Sequence, residues 1–226
     1  MDGSVDNVKR GRLFSIAVIS TLLVLITQLT DTSNTAFWMI FLRAGGYAIF
    51  IYLFLIWGLR FQVTLYSLLF VLPYTAIYLL LQYVFFEIFF LTLSGRVLEI
   101  IILLILGLLI FIGNYASMLM ANIFNVGTIK DIPLIHAART TSYILLLLQT
   151  YFLTYSLLHS GVNILFLIPL FFIFVFISLY LHLKNSDLQD LIITKYALAI
   201  AFVTMISVFS IVFVNVEHAI GALAPT

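Results

Sequence analysis

Two stretches of the sequence place polar side chains at helical spacing inside otherwise apolar segments. Asn114, Ser117, Asn122 and Asn125 are separated by three, five and three residues. At about 100° per residue they share a sector of about 140°, which makes one helix face polar. His136, Arg139, Thr140 and Tyr143 follow at i, i+3, i+4 and i+7, again on one face. As an antiparallel hairpin, the two stretches could bring these faces together near one leaflet. Such a vestibule would suit an anion, a lipid headgroup or a partner's carboxylate. Arg139 would be its fixed charge and His136 a titratable neighbour. The other reading is hydrogen bonding between helices, with Arg139 reaching out to lipid phosphates.

Arg43 and Glu99 form the second candidate. Arg43 lies seven residues into an apolar run and is followed by Ala44, Gly45 and Gly46. Glu99 sits about one turn into a later run, at similar depth. A lone charge at mid-bilayer costs ~2.5–3.5 kcal/mol, so opposite charges in one leaflet invite pairing. Arg43 is expected to pair with Glu99 or Glu87, or else to snorkel to the headgroups. The small residues beside it would let another helix approach closely.

Other chemistries lack their residues. There are no cysteines, hence no thiolate nucleophile, disulfide or Cys-based metal site. His136 and His182 fall toward one membrane face and His159 and His218 toward the other, so no metal or haem set is expected. No HExxH, GxSxG or P-loop pattern occurs. A retinal Schiff base needs a mid-span lysine in the last helix, and Lys195 lies near that helix's end. No catalytic residue, cofactor or metal is assigned. The net charge of +1 offers no electrostatic footprint for nucleic acid.

The elements that must position these residues follow from composition. Of 226 residues, 64% are hydrophobic and only 8% charged. Soluble domains run near ~45–50% apolar and ~25% charged. A chain of this size could not hide so much apolar surface from water. Crossing the hydrocarbon takes about 20 mostly apolar residues. Seven such runs occur, at about 13–30, 37–57, 62–86, 97–125, 133–158, 163–183 and 188–214. Stretches such as Ile100 to Leu106 are apolar on every face, which suits helices and not a barrel. The expected fold is an all-α, polytopic bundle of seven transmembrane spans.

Basic residues set the expected orientation. Eight of the ten fall on one side: Lys9, Arg10, Arg12, Arg60, Lys130, Arg139, Lys184 and Lys195. The positive-inside rule then places the N-terminus in the cytoplasm and the C-terminus outside. Residues 1–12 read as a cytoplasmic tail, 13–214 as the membrane domain and 215–226 as an outer tail. The first run is too long for a signal-peptide core and reads as a retained anchor. Pro73 and Pro169 sit within the third and sixth runs. They mark either two kinked helices or the paired breaks of an inverted-repeat transporter. Gly127 with Asp131 and Pro133 reads as a tight turn between helices. Ser186 with Gln189 has the spacing of a capping box for the last helix.

The stretch Asn122-Ile123-Phe124-Asn125-Val126-Gly127, followed by Ile132-Pro133-Leu134-Ile135-His136-Ala137-Ala138-Arg139, resembles a known pattern. It is similar to the central segment of an uncharacterised family of multi-pass membrane proteins in Patescibacteria, the small-genome bacteria of the candidate phyla radiation. That pattern is an N-I-F-N-V-A-like turn, a basic residue, then I-P-L-L-R-A-A. Here Gly127 replaces the alanine, and Ile135-His136 replaces Leu-Arg, which moves or removes one charge. The resemblance covers about 20 residues and implies a bacterial inner-membrane protein without implying an activity. It directs attention to the same hairpin as the polar faces.

With no nucleophile–base–orienter set in view, two functions are carried forward. The first is a structural or accessory membrane subunit that binds a protein partner within the lipid bilayer. The second is a small transporter or lipid-handling protein with a polar vestibule between spans four and five.

Overall fold

The computed structural model describes residues 3–29, 36–91, 96–126, 132–160, 163–186 and 188–223. Every regular element among them is helical. The order is α1 (Gly3–Leu29), α2 (Phe37–Gly58), a π-helical turn (Ser67–Val71) running into α3 (Leu72–Leu91), α4 (Arg96–Val126), α5 (Ile132–Leu158), α6 (Ile164–Lys184) and α7 (Asp190–Leu223). Seven helices are long and apolar enough to cross a membrane. The chain is therefore a multi-pass membrane protein with an all-α fold. In lipid the backbone can satisfy its polar groups only within each segment, so even β-branched and aromatic runs become helical.

Helix ends extend past the apolar runs. α1 already begins at Gly3, and α7 continues to Leu223. α4 has 31 residues, a length of about 46 Å at ~1.5 Å per residue, against ~30 Å of hydrocarbon. The tails expected at 1–12 and 215–226 are thus mostly helical extensions. The turn expected at Gly127–Asp131 lies outside the described residues.

The chain divides into two compact units, residues 1–160 and 161–226. In the first, α3 is the central element and packs against α1, α2, α4 and α5. α1 also packs along α4, and α4 along α5. The burial pattern is inverted relative to a water-soluble protein. Leu104 and Leu108 of α4 are 71% and 62% exposed, while Asn114 and Ser117 of the same helix are fully buried. Lipid solvates the first pair as well as a protein core would, so only the second pair must find partners inside.

The chain leaves α2 through a Schellman-type closure. Arg60 N–H donates to Trp57 O (2.9 Å) and Phe61 N–H to Ile56 O (3.0 Å). This puts Arg60 at the position that usually holds glycine, with φ of 60°. A left-handed non-glycine residue costs roughly 1 kcal/mol. Arg60→Gly should therefore raise the unfolding free energy by about 1 kcal/mol, and Arg60→Val should lower it. Denaturant titration of the purified protein in mild detergent measures both.

Pro73 explains the π-helical turn. Proline has no N–H to donate, so one carbonyl on the preceding turn loses its partner. The chain widens to the i→i+5 register there, with Leu72 N–H on Ser67 O. In that register the deprived carbonyl is Leu68, and the Tyr52 hydroxyl of α2 donates to it at 2.9 Å. Pro169 has no such turn and lies within an unbroken α6. The two prolines are therefore accommodated differently.

In the second unit, α6 packs on α7. Phe171 meets Phe209 edge-on at 5.9 Å. Asn163 caps α6 by accepting from Leu165 N–H at 3.0 Å. Ser186 does not cap α7, which starts at Asp190. Its hydroxyl donates instead to Leu183 O at the end of α6. Lys184 and Asp190 form an ion pair across this turn.

Candidate functional site

The polar residues of α4 are distributed among several neighbours. Asn114 Nδ2 donates to Ser20 Oγ of α1 at 3.1 Å. Ser20 Oγ donates to Ala17 O (2.9 Å), and the Tyr47 hydroxyl of α2 donates to Ser20 O (3.2 Å). Ser117 Oγ closes on Asn114 O within its own helix at 2.8 Å. Asn125 turns to the α2–α3 connection. Its Nδ2 donates to Gln62 O (2.7 Å), and its Oδ1 accepts from Thr64 N–H (3.1 Å). One asparagine thus satisfies a carbonyl and an amide of a non-helical segment, where lipid would offer nothing. Asn122 is half-buried, and its Oδ1 has no hydrogen-bond partner among the described residues.

The polar residues of α5 are placed differently. His136, Thr140 and Tyr143 are exposed, and Arg139 is half-buried. α5 is joined to α3 through other residues. The Tyr74 hydroxyl donates to Ser142 O at 2.6 Å, and Gln149 Nε2 donates to Tyr74 O at 3.0 Å. No hydrogen bond among the described residues gathers Asn114, Ser117, Asn122 and Asn125 with His136, Arg139, Thr140 and Tyr143 into one vestibule. Residues with no special standing in the sequence tie the helices together: Ser20, Tyr47, Tyr74 and Gln149. The available signal was their polarity within apolar runs, without a shared periodicity to mark them.

Arg43 does meet a carboxylate. Its Nη1 lies 3.5 Å from Glu87 Oε1 on α3. The partners differ in burial: the Glu87 side chain is 1% exposed and that of Arg43 45%. Gln28 Nε2 of α1 donates to Glu87 Oε2 at 3.5 Å. Tyr83, one turn earlier on α3, lies beside the same carboxylate. Three helices therefore converge on one carboxylate. The side chain of Glu99 lies outside the described residues.

No group of three or more His, Cys, Asp and Glu side chains able to hold a metal occurs among the described residues. Two openings lined by described residues lie in the first unit. One is a cleft of about 350 Å³ where α1, α4 and α5 converge, lined by Arg10, Tyr115, Leu119, Asn122, Ile123 and Leu134 among others. The other is an open apolar groove of about 320 Å³ between α2 and α3, floored by Gly45, Ala48, Pro73 and Ala76. No known protein family, curated protein or solved structure matches the chain.

Proposed function

We propose that this protein is a non-catalytic accessory subunit of a bacterial inner membrane that binds a partner's transmembrane helix within the bilayer. The observation that carries this reading is the groove between α2 and α3. A Cβ added to Gly45 or Gly46 would meet nothing within 4 Å, so packing inside this chain does not require glycine there. Glycine in a helix interior costs about 1 kcal/mol relative to alanine. Close approach of a second helix gives such residues a use, because small side chains let backbones meet in lipid. Ile49 on the groove wall is 64% exposed. The polar side chains named above are meanwhile engaged largely between the protein's own helices.

A photo-crosslinking residue placed at Ile49 in cells should capture a second protein as a discrete adduct. The same residue at Leu147, which is 55% exposed on α5, should label lipid alone. Equal protein labelling at both positions would count against a dedicated face.

The reading as a small transporter or lipid-handling protein is favoured by a separate observation, the cleft at Asn122. It brings a cation, an unpartnered amide oxygen and an apolar wall into one space.

A further inference from the structure

We propose that the cleft between α1, α4 and α5 is a phospholipid site, with the lipid phosphate on Arg10 and an acyl chain running inward past Leu119 and Tyr115. This deepens the lipid-handling reading and rests on it, independently of the partner groove. Arg10 lies at the start of the first span, Asn122 near the end of the fourth and Leu134 at the start of the fifth. Three span ends on one face of the membrane therefore frame the cleft. Ring contacts fix its depth, since Phe14 meets Phe111 at 5.4 Å and Tyr115 at 5.7 Å. One turn toward that face, Arg10 comes level with Leu119. Asn122 lies almost one turn further out.

Arg10 is exposed and has no ion pair or hydrogen bond to another described residue. Arg12, two positions on, is already engaged: its Nη1 donates to Trp57 O at 3.3 Å, and its guanidinium lies 4.7 Å from the Trp57 ring centre. The planar fork of Arg10 is thus the group available for a phosphate. Asn122 Oδ1 is buried without a donor. A glycerol hydroxyl beside the phosphate would supply one, and an unpaired buried acceptor is costly. The remaining wall, from Tyr115 to Leu134, is mostly apolar. That favours an amphiphile over a free anion, because a bare phosphate would leave this wall uncovered. The volume falls at the low end of small-ligand pockets, roughly 300–1,000 Å³.

The test is native mass spectrometry of delipidated protein in detergent. The probes are phosphatidylglycerol, the diacylglycerol with the same chains, and inorganic phosphate. One phosphatidylglycerol should be retained per protein, and diacylglycerol about tenfold less well. Arg10→Gln and Asn122→Leu should each weaken phosphatidylglycerol retention, the first by about tenfold, and Arg10→Lys should recover part of it. Lys195→Gln, which removes an exposed charge on the other unit, should change nothing. Unaltered retention in Arg10→Gln, or equal retention of diacylglycerol, overturns the site. Displacement of the lipid by millimolar inorganic phosphate would overturn the acyl-chain assignment and leave free phosphate as the ligand. A fluorescent-lipid transfer assay reports separately on lipid handling. Stoichiometric binding without transfer overturns that function while supporting the site.

Discussion

Arg43→Leu is expected to cost about 3 kcal/mol of stability, whereas Glu87→Leu should cost about 1 kcal/mol or less. The asymmetry follows from burial. Glu87 is 1% exposed and cannot leave its site when Arg43 is removed. It would keep the Gln28 amide but lose its only counter-charge among the described residues. Arg43 is 45% exposed and can swing to the headgroups when Glu87 is removed. The variant carrying both leucines should recover most of the loss, because a buried pair replaced by apolar side chains is often neutral. Unfolding of the four proteins in mixed micelles measures the cycle. Equal losses for the two single variants would show that the carboxylate, too, can reach water.

Gly113→Val should be the most damaging glycine substitution. A Cβ at Gly113 would sit 2.5 Å from the Tyr78 hydroxyl oxygen. Tyr78 is 2% exposed, and its ring centre lies 6.3 Å from that of Phe152 on α5. The ring cannot retreat without disturbing α3 and α5 together. Overpacking of this kind costs typically ~1–3 kcal/mol, and the branched side chain puts valine at the upper end. Tyr78→Phe removes the colliding oxygen and should rescue Gly113→Ala more fully than Gly113→Val. Gly107→Ala is the contrasting case, since its new Cβ meets only the end of Leu25 at 3.2 Å. That leucine tip can shift, so Gly107→Ala should be nearly silent. Thermal unfolding of the purified variants checks the order.

The helical fold was legible because lipid permits so few alternatives. Seven apolar runs became seven helices, and most boundaries moved little. The third run moved most: 62–86 was expected, and the span is Ser67–Phe90. Phe61, Gln62 and Val63 look like membrane sequence, and no glycine or proline announces the turn they occupy. Arg60 takes the left-handed position instead. Periodicity placed Asn114, Ser117, Asn122 and Asn125 on one helix face, but periodicity does not say which neighbour that face meets. A helix of 31 residues passes different partners along its length. Asn114 meets α1, and Asn125 meets the α2–α3 turn. The sequence marks Arg10 only as a topology signal, because nothing near it in the chain shows that two other span ends converge beside it.

A partner's helix seated in the α2–α3 groove should stay with this protein through gentle extraction. Native mass spectrometry of the protein gently extracted from its own membrane tests this directly, with wild type and Gly45→Leu compared side by side. A stoichiometric protein complex is expected for wild type. The isolated chain, with little change in thermal stability, is expected for Gly45→Leu, because a Cβ there meets no atom within 4 Å. A wild type that emerges alone, or a Gly45→Leu variant that keeps its partner, would contradict this seating.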